Sequence, residues 1–263
     1  MKTSMEEIKR SWEDEYVIPF YGVDAKNEVC LPALWNLMQE TAWHHADHLK
    51  LGYHDLAEKK SFWVLSRLSI QMDEYPHWGN RIRIKTWLAG TGRLFALRHF
   101  SIAHQKGDIL GMAKSAWLVL SSKSRRPQRI EPLFQHMGHL FDPLPLTEEP
   151  ERLPGPVQAK VGKSFTVRYS DIDMHHHAHN TKYIEWILDS YSAERLRMFH
   201  IQSLETNFLA ECSQGDEITI HTEPSGNTPP IYLHSLFRKS DHRELCRARV
   251  LWRPMEKVLH PEG

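Results

Sequence analysis

The stretch SFTVRYSDIDMHHHAHNTKYIEWILDSY, residues 164–191, predicts an extended segment that passes directly into a helix. Apolar residues at helical spacing form one stripe along its second half: Tyr183, Ile184, Ile187, Leu188 and Tyr191. Three polar residues lie outside that stripe: Lys182, Glu185 and Asp189. Asn180 stands at the junction, where an asparagine can cap the start of a helix. We therefore expect a strand-to-helix turn at residues 171–180.

The first half of the chain has the same order of elements. YVIPFYGVD, residues 16–24, reads as extended, and a helical pattern follows it with Pro32 in its first turn. The residues at helical spacing are Leu34, Leu37, Met38, Thr41, Ala42 and His45. Tryptophans in this half (Trp35, Trp43 and Trp63) are interpreted as core residues.

Strand patterns after each predicted helix match one another as well. Residues 68–88 correspond to residues 204–224, with Gly79 opposite Gly215. Alternating isoleucines, typical of a strand, recur at matching places: Ile82 and Ile84, then Ile218 and Ile220. The element order thus repeats, although few residues are identical.

Each half ends in a pair of runs that predicts a β-hairpin. Residues 93–122 are divided by the polar turn QKGD, and residues 231–254 by KSDHRE. Each half therefore combines one long helix with several antiparallel strands, which is an α+β arrangement present in two tandem copies.

A proline-rich segment separates the two copies. Residues 143–156 read PLPLTEEPERLPGP, and proline interrupts both helices and strand ladders. We expect an N-terminal domain at 1–142, a linker at 143–160 and a C-terminal domain at 161–263.

Composition excludes several classes of protein. Lys+Arg and Asp+Glu both total 33 in 263 residues, a balance that argues against a nucleic-acid binder. The charged start MKTSMEEIKRSWEDEY does not resemble a secretory signal, and no stretch approaches the roughly 18 apolar residues of a membrane span. Three scattered cysteines (Cys30, Cys212 and Cys246) favour a reducing compartment. We expect a cytoplasmic protein.

The decapeptide DIDMHHHAHN, residues 171–180, concentrates side chains that carry chemistry. At a strand-to-helix turn they would lie beside the amides of a helix N-terminus, which can stabilise an oxyanion. His175, His177 and His179 alternate, so they could share one side of an extended segment, as zinc would require. We favour acid–base chemistry over a metal, and we expect no physiological metal here.

DIDMHHHAHNTKYIEW, with LAEC further along the chain, resembles the acyl-acyl carrier protein thioesterase family. That family has the pattern D-x-D-x-N-x-H-x-N-N-x-x-Y-I-x-W followed by Glu-Cys. WVLSRLSIQM (63–72) and SSKSRRPQRI (121–130) extend the resemblance over nearly the whole chain. The resemblance implies a double hot-dog fold, in which a curved antiparallel sheet wraps a long helix in each domain. It further implies a cofactor-free enzyme that releases fatty acids from acyl carrier protein and so terminates fatty-acid synthesis, with the acyl-chain pocket in the N-terminal domain.

The resemblance also assigns the candidate site. Asp173 and His177 fall on the catalytic aspartate and histidine of the family, and Glu211 and Cys212 on its Glu-Cys pair. His175 stands where the family usually has its catalytic asparagine. His179 replaces the first residue of the Asn-Asn pair, and Asn180 keeps the second. We expect the backbone amides around His179 and Asn180 to complete an oxyanion site.

Two mechanisms remain open for thioester hydrolysis. In the first, Glu211 is the general base for water, provided that burial makes its carboxylate basic enough. Asp173 would orient an imidazole or the water, and His177 would donate to the thioester oxygen. In the second, Cys212 is a nucleophile paired with His177. We favour water, because no sequence feature marks Cys212 as an activated thiol.

The partner implied by the resemblance is acyl carrier protein, which is strongly acidic. A basic run in residues 121–129 could dock it: Lys123, Arg125, Arg126 and Arg129. Three competing functions stay open, namely an acyl-coenzyme A thioesterase, a catalytically silent acyl-binding module and, more weakly, a hot-dog dehydratase. Two hot-dog units in one chain could act alone or pair as a homodimer through a sheet edge.

Overall fold

The computed structural model of the chain describes residues 9–134 and 150–255. The chain divides into two compact units, Met1–Arg152 and Leu153–Gly263. Part of the expected linker, residues 143–149, lies outside the described residues. The domain limits expected from the sequence therefore stay a prediction, and each unit is described by itself.

The first unit is an antiparallel sheet with one long helix. Its strands are β1 (Ser11–Val17), β2 (Ser61–Met72), β3 (Arg81–Thr91), β4 (Phe95–His104) and β5 (Ile109–Ser121). Its helices are α1 (Leu31–His48), α2 (Tyr53–Glu58) and α3 (Glu131–Phe134). The strands lie in the order β1-β3-β4-β5-β2, and every pair is antiparallel. QKGD is the turn of the β4–β5 hairpin, as predicted.

The core of the first unit forms where α1 packs on this sheet. Trp35 of α1 is fully buried and meets Phe100 of β4 edge to face, with ring centroids 5.8 Å apart. The predicted apolar stripe is buried except for Leu37, which is half-buried. Trp43 is 47% exposed, so its interpretation as a core residue is wrong. It lies outside the stripe, on the side of α1 that faces water.

The second unit repeats this plan. Its strands are β6 (Lys160–Thr166), β7 (Phe199–Phe208), β8 (Glu217–Asn227), β9 (Pro230–Arg238) and β10 (Glu244–Pro254). Its helices are α4 (Asn180–Asp189) and α5 (Ala193–Met198). The antiparallel order is β7-β10-β9-β8-β6. KSDHRE lies at the turn of the β9–β10 hairpin, as predicted.

Helix α4 is the counterpart of α1. Its apolar stripe packs on the sheet: Tyr183 contacts Phe208 of β7 edge to face, and Tyr191, just beyond the helix, contacts Trp252 of β10. Gly79 and Gly215, matched in the sequence, both adopt positive φ angles of 78° and 88°. The α+β prediction of a helix on an antiparallel sheet, present twice, is confirmed.

Candidate active site

A tight hairpin carries the residues that precede α4. The Asp173 N–H donates to the His177 carbonyl (2.9 Å), and the His176 N–H donates to the Asp173 carbonyl (3.0 Å). His176 takes a left-handed φ of 65°. One carboxylate oxygen of Asp173 accepts from the His175 N–H at 2.8 Å, which stabilises the turn locally. The first visible role of Asp173 is therefore to shape this turn, which leaves His175 and His176 exposed.

His177 and Glu211 are brought together although they are distant in sequence. His177 Nε2 lies 3.1 Å from Glu211 Oε2. The Ala178 N–H donates to the Cys212 carbonyl at 2.9 Å, so the backbone joins the two motifs beside this contact. The His177 side chain is 27% exposed and that of Glu211 is 41% exposed. The buried environment expected for Glu211 is therefore not found, and its carboxylate lies against the His177 imidazole instead.

His179, rather than Asn180, caps helix α4. Its Nδ1 accepts from the Thr181 N–H at 3.3 Å, and Asn180 is the first residue of the helix, so the predicted capping role of Asn180 is wrong. The His179 N–H itself donates to the Asp171 carbonyl at 2.8 Å. That N–H is therefore already engaged, and the oxyanion site expected from the backbone amides around His179 and Asn180 stays a prediction.

The side chain of His179 can still donate a hydrogen bond. Burial lowers its pKa, against the opposing pull of the Asp173 charge, so the ring is held neutral. Since Nδ1 accepts a hydrogen bond, the proton of the neutral ring resides on Nε2. A neutral ring with one N–H donor can replace the side-chain amide of the asparagine that the family usually has here.

Cys212 lacks the surroundings of a nucleophile. It is fully buried, and its Sγ lies 3.1 Å from the Tyr183 hydroxyl. Burial raises the pKa of this thiol to about 11, so it stays protonated near neutral pH. The imidazole of His177 is directed to Glu211 instead. These contacts favour water over Cys212 as the attacking group.

The first unit contains the same hairpin with other side chains. The Asp24 N–H donates to the Glu28 carbonyl (2.8 Å), the Asn27 N–H donates to the Asp24 carbonyl (3.0 Å), and Asn27 has a φ of 64°. The Lys26 ammonium lies 3.2 Å from Glu28 and 3.6 Å from Asp24. One ammonium thus pairs with both carboxylates in this copy of the turn, which carries no imidazole.

The predicted docking residues belong to the first unit. Lys123, Arg125, Arg126 and Arg129 are exposed in the turn region after β5. Arg125 stacks on Phe62, with its guanidinium 5.0 Å from the ring centroid. Within residues 9–134 and 150–255, no group of three or more His, Cys, Asp or Glu side chains is arranged to hold a metal ion. In the same part of the chain, none of the helices combines the length and apolarity needed to span a membrane.

Two units, each a long helix packed on a five-stranded antiparallel sheet, define a double hot-dog protein with an imidazole–carboxylate pair at the start of the second helix. Sequence profiles of the acyl-ACP thioesterase N-terminal domain and C-terminal domain match residues 9–136 and 155–254. The chain belongs to the acyl-ACP thioesterase family.

Individual relatives are moderately similar. A chloroplastic palmitoyl-acyl carrier protein thioesterase of Cuphea hookeriana is 27% identical over 264 residues, which cover 95% of this chain and 64% of that relative. The chain thus spans a little under two thirds of that protein. A crystal structure of an acyl-ACP thioesterase from Bacteroides thetaiotaomicron is 25% identical, with a TM-score of 0.83 over 93% of this chain and 98% of the other. The 12:0-ACP thioesterase from Umbellularia californica has a TM-score of 0.84 at 23% identity over 94% and 95% of the two chains, a likeness of fold alone.

Proposed function

We propose that this protein hydrolyses the thioester of acyl-acyl carrier protein and releases a free fatty acid. The observation that carries the proposal is the contact of 3.1 Å between His177 Nε2 and Glu211 Oε2. This contact brings together the two segments of the family pattern, DIDMHHHAHN and LAEC. The family relationship supports the choice of a thioester as substrate.

In the proposed reaction, Glu211 takes a proton from water as the water oxygen attacks the thioester carbonyl carbon. The carbon–sulfur bond then breaks. The proton that Glu211 took passes through the His177 ring, which contacts that carboxylate, to the departing thiolate, so that Glu211 is regenerated and acid and thiol leave neutral overall. A positioned acid–base pair of this kind is typically worth about 10²–10⁴-fold in rate. No cofactor takes part in any of these steps.

His179 is the proposed donor to the carbonyl oxygen. Because burial keeps the ring neutral and Nδ1 accepts from the Thr181 N–H, the ring proton is on Nε2, which is the proposed donor atom. A donor placed where negative charge develops stabilises the transition state more than the ground state. Asp173 serves in this scheme by holding the turn through the His175 N–H, and its charge favours any proton that arrives on a neighbouring imidazole.

We assign the acidic carrier protein, rather than coenzyme A, as the carrier of the acyl group. The basic residues after β5 support this choice, since Lys123, Arg126 and Arg129 are exposed and make no ion pair among the described residues. Release of the fatty acid would terminate fatty-acid synthesis, which we place in the cytoplasm; the similar plant enzymes are named chloroplastic. Pairing as a homodimer stays a prediction.

Thiol release from acyl carrier protein thioesters of graded chain length, beside matched coenzyme A thioesters, tests the function. We expect turnover with carrier protein preferred. Equal rates with coenzyme A would favour the acyl-coenzyme A thioesterase, and tight acyl binding without turnover would favour the silent module. The double variant Lys123→Glu/Arg126→Glu should raise KM for the carrier protein substrate only. Lys106→Glu, which reverses the charge of one exposed lysine in the β4–β5 turn, controls for charge reversal elsewhere on the surface.

A further inference from the structure

Residues 209–216, here called the Glu211 loop, belong to no helix or strand. Glu211 itself is exposed, so packing does not restrain its side chain. The start of the loop is anchored to the Leu245 carbonyl by the Leu209 N–H (2.8 Å) and the Ala210 N–H (3.2 Å). Cys212, the next residue, is fully buried, and its carbonyl accepts from the Ala178 N–H. The peptide of Glu211 is restrained by further hydrogen bonds.

Arg238, the last residue of β9, reaches this loop with its guanidinium. Its Nη1 donates to the Glu211 carbonyl at 3.4 Å and to Asp216 Oδ2 at 3.3 Å. Its Nε and Nη2 form a two-pronged contact with Asp241 at 2.9 and 2.8 Å. Such bidentate pairing fixes the plane of a guanidinium. Asp241 therefore aims the free edge of Arg238 at the loop.

The C-terminal end of the Glu211 loop also contacts Arg238. Asp216 Oδ2, which accepts from Arg238, also accepts from the Ser213 N–H at 2.9 Å. On the opposite side, the buried Tyr183 hydroxyl donates to the Ala210 carbonyl at 3.2 Å. Arg238 is thus bonded both to the peptide of Glu211 and to the carboxylate that holds the following turn.

We propose that Arg238 is a positioning residue that holds the Glu211 loop so that the Glu211 carboxylate stays in contact with His177. This inference rests on the proposed function, because it takes Glu211 as the catalytic base. Displacement of a reacting group by about 1 Å can cost about 100-fold in rate. A loop with few packed side chains depends on its backbone hydrogen bonds to avoid that displacement.

Arg247 on β10 offers a matched control. It also forms a two-pronged contact with a carboxylate three residues away, Glu244, at 2.8 and 2.7 Å. Its Nη1 also donates to a distant carbonyl, that of Leu153, at 3.0 Å. Arg247→Gln therefore removes the same kind of network from the neighbouring strand without touching the Glu211 loop.

The kinetic test compares Arg238→Gln, Arg238→Lys and Arg247→Gln. For Arg238→Gln we expect kcat to fall about ten-fold with KM little changed, because a misplaced Glu211 carboxylate slows the chemical step without weakening substrate binding. Arg238→Lys should recover part of the loss, and Arg247→Gln should match the wild type. In a Glu211→Gln background, Arg238→Gln should lower kcat no further, since Arg238 acts only through the Glu211 carboxylate. A full ten-fold additional loss there, or an equal loss in Arg247→Gln, would overturn the proposal.

Amide hydrogen exchange of residues 209–216 tests the hold of Arg238 on the Glu211 loop, here called the clamp, independently of activity. Exchange in this loop should accelerate about ten-fold in Arg238→Gln and stay at the wild-type rate in Arg247→Gln. Unchanged exchange in Arg238→Gln would refute the clamp even in an active enzyme. Conversely, accelerated exchange in Arg238→Gln, together with a wild-type protein that hydrolyses no thioester, would leave the clamp standing and reject the proposed function.

Discussion

His177 and Glu28 occupy the same position in two copies of one hairpin, and only His177 faces a carboxylate from a distant loop. Glu28 is held by Lys26 at 3.2 Å, within its own turn. The backbone beside both is alike: the Val29 N–H donates to Pro76 as the Ala178 N–H donates to Cys212, both at 2.9 Å. Buried Tyr75, which precedes Pro76, therefore takes the place of Glu211. At this turn, one scaffold thus carries an imidazole–carboxylate contact in its second copy and a lysine–carboxylate contact in its first.

The His177–Glu211 pair should be indispensable for turnover. We expect His177→Ala and Glu211→Gln each to lower kcat at least about 100-fold, because each removes one member of the proposed acid–base pair. Steady-state thiol release measures the effect. His176→Asn is the control, since Asn27 already occupies the equivalent left-handed position in the first unit. Near-normal rates in both site variants would reject the assignment.

Replacement of Asp173 separates its charge from its role in the turn. Asp173→Asn keeps a side-chain oxygen for the His175 N–H, so the hairpin should persist. We expect kcat to fall more than about ten-fold, because the negative charge of Asp173 stabilises a proton on a neighbouring imidazole. Asp24→Asn makes the same change in the same turn of the first unit, where the Lys26 N–H is the partner, and should leave the rate intact. Equal rates for the two variants would limit Asp173 to a structural role.

Cys212 should be dispensable as a nucleophile. Burial raises the pKa of its thiol to about 11, which leaves little thiolate at neutral pH. Cys212→Ser keeps a partner for the Tyr183 hydroxyl and should retain at least about a third of the wild-type kcat. An acyl-enzyme trapped on Cys212 and seen by mass spectrometry, or complete loss of rate in a folded Cys212→Ser variant, would restore the cysteine mechanism.

Three buried imidazoles should make the fold sensitive to acid. Burial lowers the pKa of His45 and His99 to about 4 and that of His234 to about 3. In the unfolded chain these rings bind protons below about pH 6.5, so the unfolded state takes up more protons than the folded state. The free energy of unfolding is therefore retained above pH 6.5 and falls as the pH drops toward 4, by up to about 1.4 kcal/mol per pH unit and ring.

His234→Gln tests this dependence. Glutamine can still bond with the Tyr191 and Thr222 hydroxyls that His234 contacts at 2.7 and 3.0 Å, but it does not titrate. Urea unfolding at pH 7 and pH 5 should show a smaller acid-induced loss of stability in the variant. A loss as large as that of the wild type would contradict the contribution of His234.

Local sequence patterns predict those features of the second unit that depend only on residues close in sequence. The spacing of Tyr183, Ile184 and Ile187 identifies the buried face of α4, because that face follows from helical geometry alone. The predicted N-cap residue of α4 is wrong. Asn180 and His179 are adjacent, and only the path of the backbone decides which side chain reaches the Thr181 N–H. Tyr183 was recognised for its apolar ring, whereas its hydroxyl contacts are tertiary.

Residue periodicity and turn chemistry were enough to predict the order of elements, the two hairpins, the duplication and the family, because both act between near neighbours. Which distant groups meet depends on how the strands and loops fold together. It placed Glu211 against His177, buried Cys212 beside Tyr183, and brought Arg238 to the Glu211 carbonyl. Arg238 had no local signal at all, since a guanidinium at the end of a strand is ordinary until the loop that it binds has folded against it.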